Sequence, residues 1–123
     1  MKNFTHRFRL IAPGSIAGQW KQQVSLKEDA SPLAFMASDP VSFTQEAQSD
    51  DSGIYYSQNF SAVVSDPAVM AANRRRAVVE MTLSDGSVRY IGTKEDAPVI
   101  SVTPYPDRYV VSCGCLSVDP VEL

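Results

Sequence analysis

At 123 residues the chain has room for one domain, spanning 1–123, and for a single hydrophobic core without disulfide or metal staples. Its 44% apolar and 20% charged composition excludes a disordered chain, and a net charge of −3 argues against a protein devoted to nucleic-acid phosphates, leaving only a local basic patch. No apolar run approaches the ~20 residues that a bilayer span requires.

The leading signal along the chain is apolar–polar alternation with period two, the pattern of strands with one buried and one wet face. Phe4, His6, Phe8 and Leu10 alternate with Asn3, Thr5, Arg7 and Arg9. Lys2, Arg7 and Arg9 resemble the charged start of a signal peptide, but Leu10–Gly14 is too short and too soon broken to be its apolar region. The expected site of synthesis is therefore the cytoplasm. After the Pro13-Gly14 turn signal, Trp20, Gln22, Val24 and Leu26 alternate with polar neighbours, so the spacing predicts a second strand that pairs with the first as a hairpin.

Residues 27 to 53 read as looser, with Pro32 and Pro40 interrupting any long element. Leu33–Met36 is ambiguous between strand and helical turn. Val41 and Phe43 begin a plausible third strand, and 48–53 reads as a polar loop. From Ile54 the alternation is strong: Ile54, Tyr56, Gln58, Phe60, Ala62 and Val64 share a face, with Tyr55, Ser57, Asn59 and Ser61 opposite. Asp66 suits a helix N-cap and Pro67 the first helical position, which predicts one short helix ending near Arg74. Ala77, Val79, Met81 and Leu83 form the next strand. Asp85-Gly86, the strongest short hairpin signal, returns it through Val88 and Tyr90. Strands over 99–103 and 109–116 complete a set of seven to eight, mostly antiparallel. The fold class expected is mainly β, a β-sandwich or a closed β-barrel with one short helix.

Chemistry-bearing residues are sparse. His6, the only histidine, lies on the apolar side of its strand and reads as a satisfied, partly buried side chain rather than a base. Cys113 and Cys115 share a strand face, too close in sequence for an unstrained disulfide and too few for a metal site. Asp50-Asp51 lacks the spacing of a calcium loop. Nothing brings Glu46, Glu80 and Glu95 together as catalytic carboxylates. No phosphate-cradling glycine loop or nucleophile elbow is present. The expectation is thus a protein without catalytic residues, metal ligands or cofactor.

Arg74-Arg75-Arg76 is the one concentrated charge feature, suited either to a phosphate or acidic partner or to a solvated helix end. Tyr55 lies on the outward side of its strand, as interface tyrosines do. More generally, Tyr55, Ser57, Asn59, Ser61 and Val63, and likewise Val110, Ser112, Gly114 and Leu116, form uncharged outer strand faces. Only four lysines occur, none between Lys27 and Lys94, whereas monomers usually guard such faces with charge. These features point to packing against another subunit, with Arg74, Arg75, Arg76 and Tyr55 as candidate contacts.

The stretch from Arg76 to Pro104 (Ala77–Leu83, Asp85-Gly86, Tyr90-Ile91-Gly92-Thr93, Ala97-Pro98) resembles small structural proteins of phages and prophages of Bacteroides-type bacteria. The resemblance covers about a third of the chain. It implies a virion component at the head–tail connector or in the tail, without enzymatic activity, whose partners are further copies and neighbouring structural proteins. A small β-barrel that binds nucleic acid through Arg74–Arg76 is the alternative, and a small hydrolase dependent on His6 a third.

Overall fold

In the computed structural model, which describes residues 3–20, 23–28, 30, 32–51, 53–117 and 120–121, the period-two segments become ten strands. They are β1 (Phe4–Ile11), β2 (Ile16–Trp20), β3 (Gln23–Leu26), β4 (Leu33–Met36), β5 (Ser42–Asp50), β6 (Gly53–Val64), β7 (Val78–Leu83), β8 (Val88–Ile91), β9 (Ser101–Pro104) and β10 (Tyr109–Ser117). Two four-stranded antiparallel sheets, ordered β4-β1-β7-β8 and β5-β6-β10-β9, form the body. We call them the first and second sheets. The β2–β3 hairpin is a separate two-stranded ribbon.

The two sheets bury one core between them. Phe8, Leu10, Phe35, Val79, Met81 and Ile91 come from the first, and Phe60, Ala62, Val64, Val102, Val111 and Cys113 from the second. The ring of Phe8 ties the layers, 5.3 Å from Phe60 and 5.7 Å from Phe35 between centroids. Burying each such ring contributes about 1.5–3 kcal/mol, so the alternating phenylalanines dominate the choice of inner face. The architecture is therefore that of a sandwich. Each sheet keeps two open edges, and the closed barrel expected as an alternative is not what forms.

Four expectations from the sequence are corrected. There are ten strands rather than seven or eight, because Leu33–Met36 is a true strand and the segment read as the second strand is two. Its alternation continues across β2 and β3, which fold back on each other with Trp20 opposite Gln23. The register sets Gln19 opposite Val24, so positions 20 and 24, in phase along the sequence, belong to opposite faces of the ribbon; period two does not report such a reversal. Lys21, Gln22 and the Trp20 side chain lie outside the described residues. Next, β1 does not pair with this segment; it is flanked by β4 and β7. Finally, the polar stretch read as a loop before Gly53 extends β5 to Asp50, because β6 supplies an unbroken ladder from Ser42↔Ser61 to Asp50↔Gly53.

Other signals hold. The Asp85-Gly86 turn joins β7 to β8, with Gly86 at φ 88° and the Asp85 carboxylate accepting from the Ser87 backbone N–H at 3.0 Å. The short helix expected after Asp66 forms at Pro67–Ala72 as a 3₁₀ helix, capped by Asp66, which accepts from Ala68 N–H at 2.9 Å. A second 3₁₀ turn occupies Pro13–Ser15.

A smaller cluster lies on the far side of the first sheet, where Ile16, Val24 and Leu26 of the β2–β3 hairpin pack with Ile11, Val78, Tyr90 and Ala97. The Gln19 side chain fastens this hairpin, donating to Gly92 C=O at 3.0 Å and accepting from Lys94 N–H at 3.0 Å. At one end of the main core, the Gln45 amide takes both backbone groups of Val121, at 2.8 and 3.2 Å. Its oxygen also accepts from buried Gln58 at 2.8 Å.

Candidate functional site

The two sheets present very different outer faces. On the first, strand register aligns Arg9, Glu80 and Tyr90 in one row across β1, β7 and β8. Arg9 grips Glu80 with both arms of its fork, Nε to Oε1 at 2.8 Å and Nη2 to Oε2 at 2.6 Å, and the Tyr90 hydroxyl donates to Oε2 at 2.9 Å. The Glu80 side chain is 8% exposed against 36% for Arg9. The hydrogen bonds to Glu80 raise the Arg9 guanidinium above its ordinary value, while burial and then Glu80 push the Tyr90 hydroxyl up to about 12. A hollow of about 430 Å³ opens beside this row, lined by Arg7, Ala34, Met36 and Thr82 among others. Each charged group in the row is engaged with its neighbours. The arrangement works as a rivet through the sheet.

The outer face of the second sheet is built from small uncharged side chains. One row runs across all four strands as Ser42, Ser61, Ser112 and Ser101, each opposite the next. Beside it lie Thr44, Asn59 and Gly114 on one side, and Val63, Val110 and Thr103 on the other. Glu46 and Asp50, towards the β5–β6 turn, are its only charged strand positions, and no Lys or Arg stands on it. Both uncharged sets anticipated from the sequence are thus neighbours on one surface. Their adjacency needed the β6–β10 register, which pairs Ser57 with Leu116 and Val63 with Val110.

Tyr55 sits half-buried at the turn end of this face and lines a hollow of about 370 Å³ with Asp50, Leu116 and Ser117. Leu116, 61% exposed, also borders a hollow of about 450 Å³ that contains Arg76, Val99, Gly114 and Cys115. The structure therefore brings Tyr55 and Arg76 to hollows that share Leu116, whereas Arg74 and Arg75 line neither. The arginines do not terminate an α-helix. Arg74 adopts φ 65°, the one positive value among described non-glycine residues, and its segment is strapped to the approach to β9. The straps are Arg74 N–H to Ile100 C=O at 2.7 Å, Ile100 N–H to Arg75 C=O at 2.8 Å and Val102 N–H to Asn73 Oδ1 at 2.9 Å. Arg76 spends Nη1 on Ala97 C=O at 2.8 Å; Arg74 and Arg75 remain exposed.

The remaining candidates fall on separate elements. The His6 ring is half-buried, with Nδ1 3.0 Å from Ala37 C=O, in a stretch of β1 where pairing with β7 is interrupted. Glu46 lies on the outside of the second sheet, Glu80 on the outside of the first, and Glu95 in the loop after β8. Asp51 follows β5 at the hairpin turn. Cys113 is buried and Cys115 half-buried, both as free thiols. Burial, then the neighbouring Cys115, pushes the Cys113 thiol up to about 12; burial and then Asp96 raise that of Cys115. Both shifts disfavour the nucleophilic thiolate. Among the described residues no three His, Cys, Asp or Glu side chains group as a metal site, and no helix is long and apolar enough to cross a membrane.

Compared with protein families, with curated proteins and with solved structures, the chain matches none.

Proposed function

We propose that this protein is a non-enzymatic structural subunit of an oligomeric assembly, acting through the outer face of the second sheet. The observation that carries this reading is the four-strand-wide surface centred on Ser42, Ser61, Ser112 and Ser101, with no basic residue at its strand positions. Desolvating its serine-centred part, away from Glu46 and Asp50, requires no buried charge, and its small side chains permit close approach of another sheet or loop. Copies of the chain and neighbouring structural proteins are the partners proposed. The resemblance over Arg76–Pro104 supports placing the assembly in a bacteriophage virion, at the head–tail junction or in the tail.

The test is sedimentation of the purified protein across a concentration series, alongside Ser61→Lys/Ser112→Lys. Concentration-dependent association that the two lysines abolish, with the circular dichroism spectrum unchanged, is the expected result. Association unaffected by the lysines would overturn the assignment of the face. Mass spectrometry of purified particles tests the virion placement, which fails if the chain is absent from them.

A second reading, contact with phosphate or an acidic partner through Arg74–Arg76, is supported by the exposure of Arg74 and Arg75 on their pinned backbone. Binding of this kind weakens steeply with salt, so absence of a nucleic-acid gel shift at low salt removes its nucleic-acid form.

A further inference from the structure

The two sheets expose four edge strands, and three are guarded against pairing. β4, β8 and β9 are four residues each. β4 lies between Pro32 and Pro40, β8 carries Arg89, and β9 follows Pro98 and ends on Pro104. Shortness, charge and proline are the usual devices that keep an edge from acting as a template for another strand. β5 is neither short nor broken by proline, and its only charges are the acidic Glu46 and Asp50. It runs nine residues, contains no Pro, Lys or Arg, and its register against β6 is uninterrupted, so no bulge twists the edge away.

We infer that β5 is a homotypic docking edge, on which β5 of a second copy pairs antiparallel to make one continuous eight-stranded sheet. The inference rests on the proposed role as an assembly subunit and specifies how two copies join. The chemistry of an edge selects an extended strand, because it offers alternating backbone N–H and C=O groups. Counted back from the Asp50–Gly53 pair at the turn, this alternation directs the free backbone groups of Phe43, Gln45, Ala47 and Ser49 away from β6. A second β5 is already extended and braced by its own β6, so pairing orders no new chain, unlike capture of a flexible peptide.

Charge restricts the register. A two-fold axis at Glu46 would set Glu46 against Glu46 of the other copy. An axis at Gln45 instead sets Glu46 against Thr44, Ala47 against Phe43 and Gln48 against Ser42, with no like charges opposed. That arrangement also continues the outer face from one copy into the next, with each Glu46 at the seam beside a Thr44.

The experiment compares Ala47→Pro and Ala47→Val with the wild type by sedimentation and by hydrogen exchange. Proline removes one outward N–H and leaves the bonds to β6 intact, whereas valine preserves the edge. Loss of the dimer in folded Ala47→Pro, retained in Ala47→Val, is the expected result. A folded Ala47→Pro that still dimerises overturns edge pairing while leaving the face reading in place; a wild type monomeric throughout overturns both. If Ala47→Pro does not fold, wild-type exchange decides. Amides of Phe43, Gln45, Ala47 and Ser49 should slow as concentration drives assembly, and unchanged exchange in the assembled protein refutes the pairing.

Discussion

Replacing Arg9 by Met should cost more stability than neutralising its partner by Glu80→Gln, although the two residues share the same bonds. The asymmetry comes from exposure. Arg9 keeps 36% of its side chain in contact with solvent, so losing the Glu80 charge returns it to partial hydration. Glu80 keeps only 8%, so Arg9→Met strands a carboxylate with the Tyr90 hydroxyl as its remaining side-chain donor. Breaking one side of a buried ion pair costs about 3–5 kcal/mol, and the surviving Tyr90 bond places Arg9→Met near the lower end, about 3 kcal/mol. Glu80→Gln keeps one oxygen that can accept from Arg9 Nη2 and Tyr90 but sets an amide N–H against Arg9 Nε–H, and should cost about 1–2 kcal/mol. Replacing the whole row (Arg9→Met/Glu80→Met/Tyr90→Phe) removes every polar group at once and should recover to within about 1 kcal/mol of wild type. Urea unfolding followed by circular dichroism, with midpoints compared at constant slope, measures all three. The reasoning fails if Arg9→Met is no more damaging than Glu80→Gln, or if the apolar triple variant is the least stable.

Gly92→Ala should destabilise by about 2–3 kcal/mol, since φ is 89° and a Cβ would lie 2.5 Å from Pro98 Cδ; Gly14→Ala, with nothing within 4 Å, is the control, and equal melting temperatures would refute the strain. Cys113 holds its proton to about 12 when folded against 9.0 in the free thiol. The unfolded chain therefore releases that proton first, and stability contributed by the buried thiol should decline as pH rises from 9.0 through about 12. Titrating wild type against Cys113→Ala at matched pH checks this, since the variant should lose less across the window; a thiol reagent should also modify native Cys115 before Cys113.

The core and its layers were legible because alternation records which side of a strand is dry. Phe8, Phe60, Ala62, Val64, Val79 and Met81 occupy the inner face that their spacing implied. Pairing was not legible, because period two carries no information on which strand lies beside which. The β2–β3 reversal, the position of β1 between β4 and β7, and the length of β5 all depend on partners distant in sequence. The same holds for the surfaces. Each strand's uncharged outer residues could be read singly, yet their assembly into one face required the β6–β10 and β5–β6 registers. Glu80 is the sharpest miss. Among fourteen acidic residues it reads as another solvated carboxylate, and only the row joining it to Arg9 and Tyr90 explains its burial. The sole local hint was its place between Val78 and Thr82.

The position of β1 has a kinetic consequence. It lies in the interior of its sheet, yet its neighbours are β4 and, some seventy positions later, β7, with Arg9 opposite Glu80 and Leu10 opposite Val79. The β5–β6 and β7–β8 hairpins can close locally within microseconds, but the first sheet waits for a long loop to shut around its opening strand. Collapse of the main layers should therefore lag behind hairpin formation, placing the molecule among slow, topology-limited folders. Until that docking occurs Phe8 and Leu10 stay uncovered, so the nascent chain is most vulnerable to aggregation just before β7 arrives.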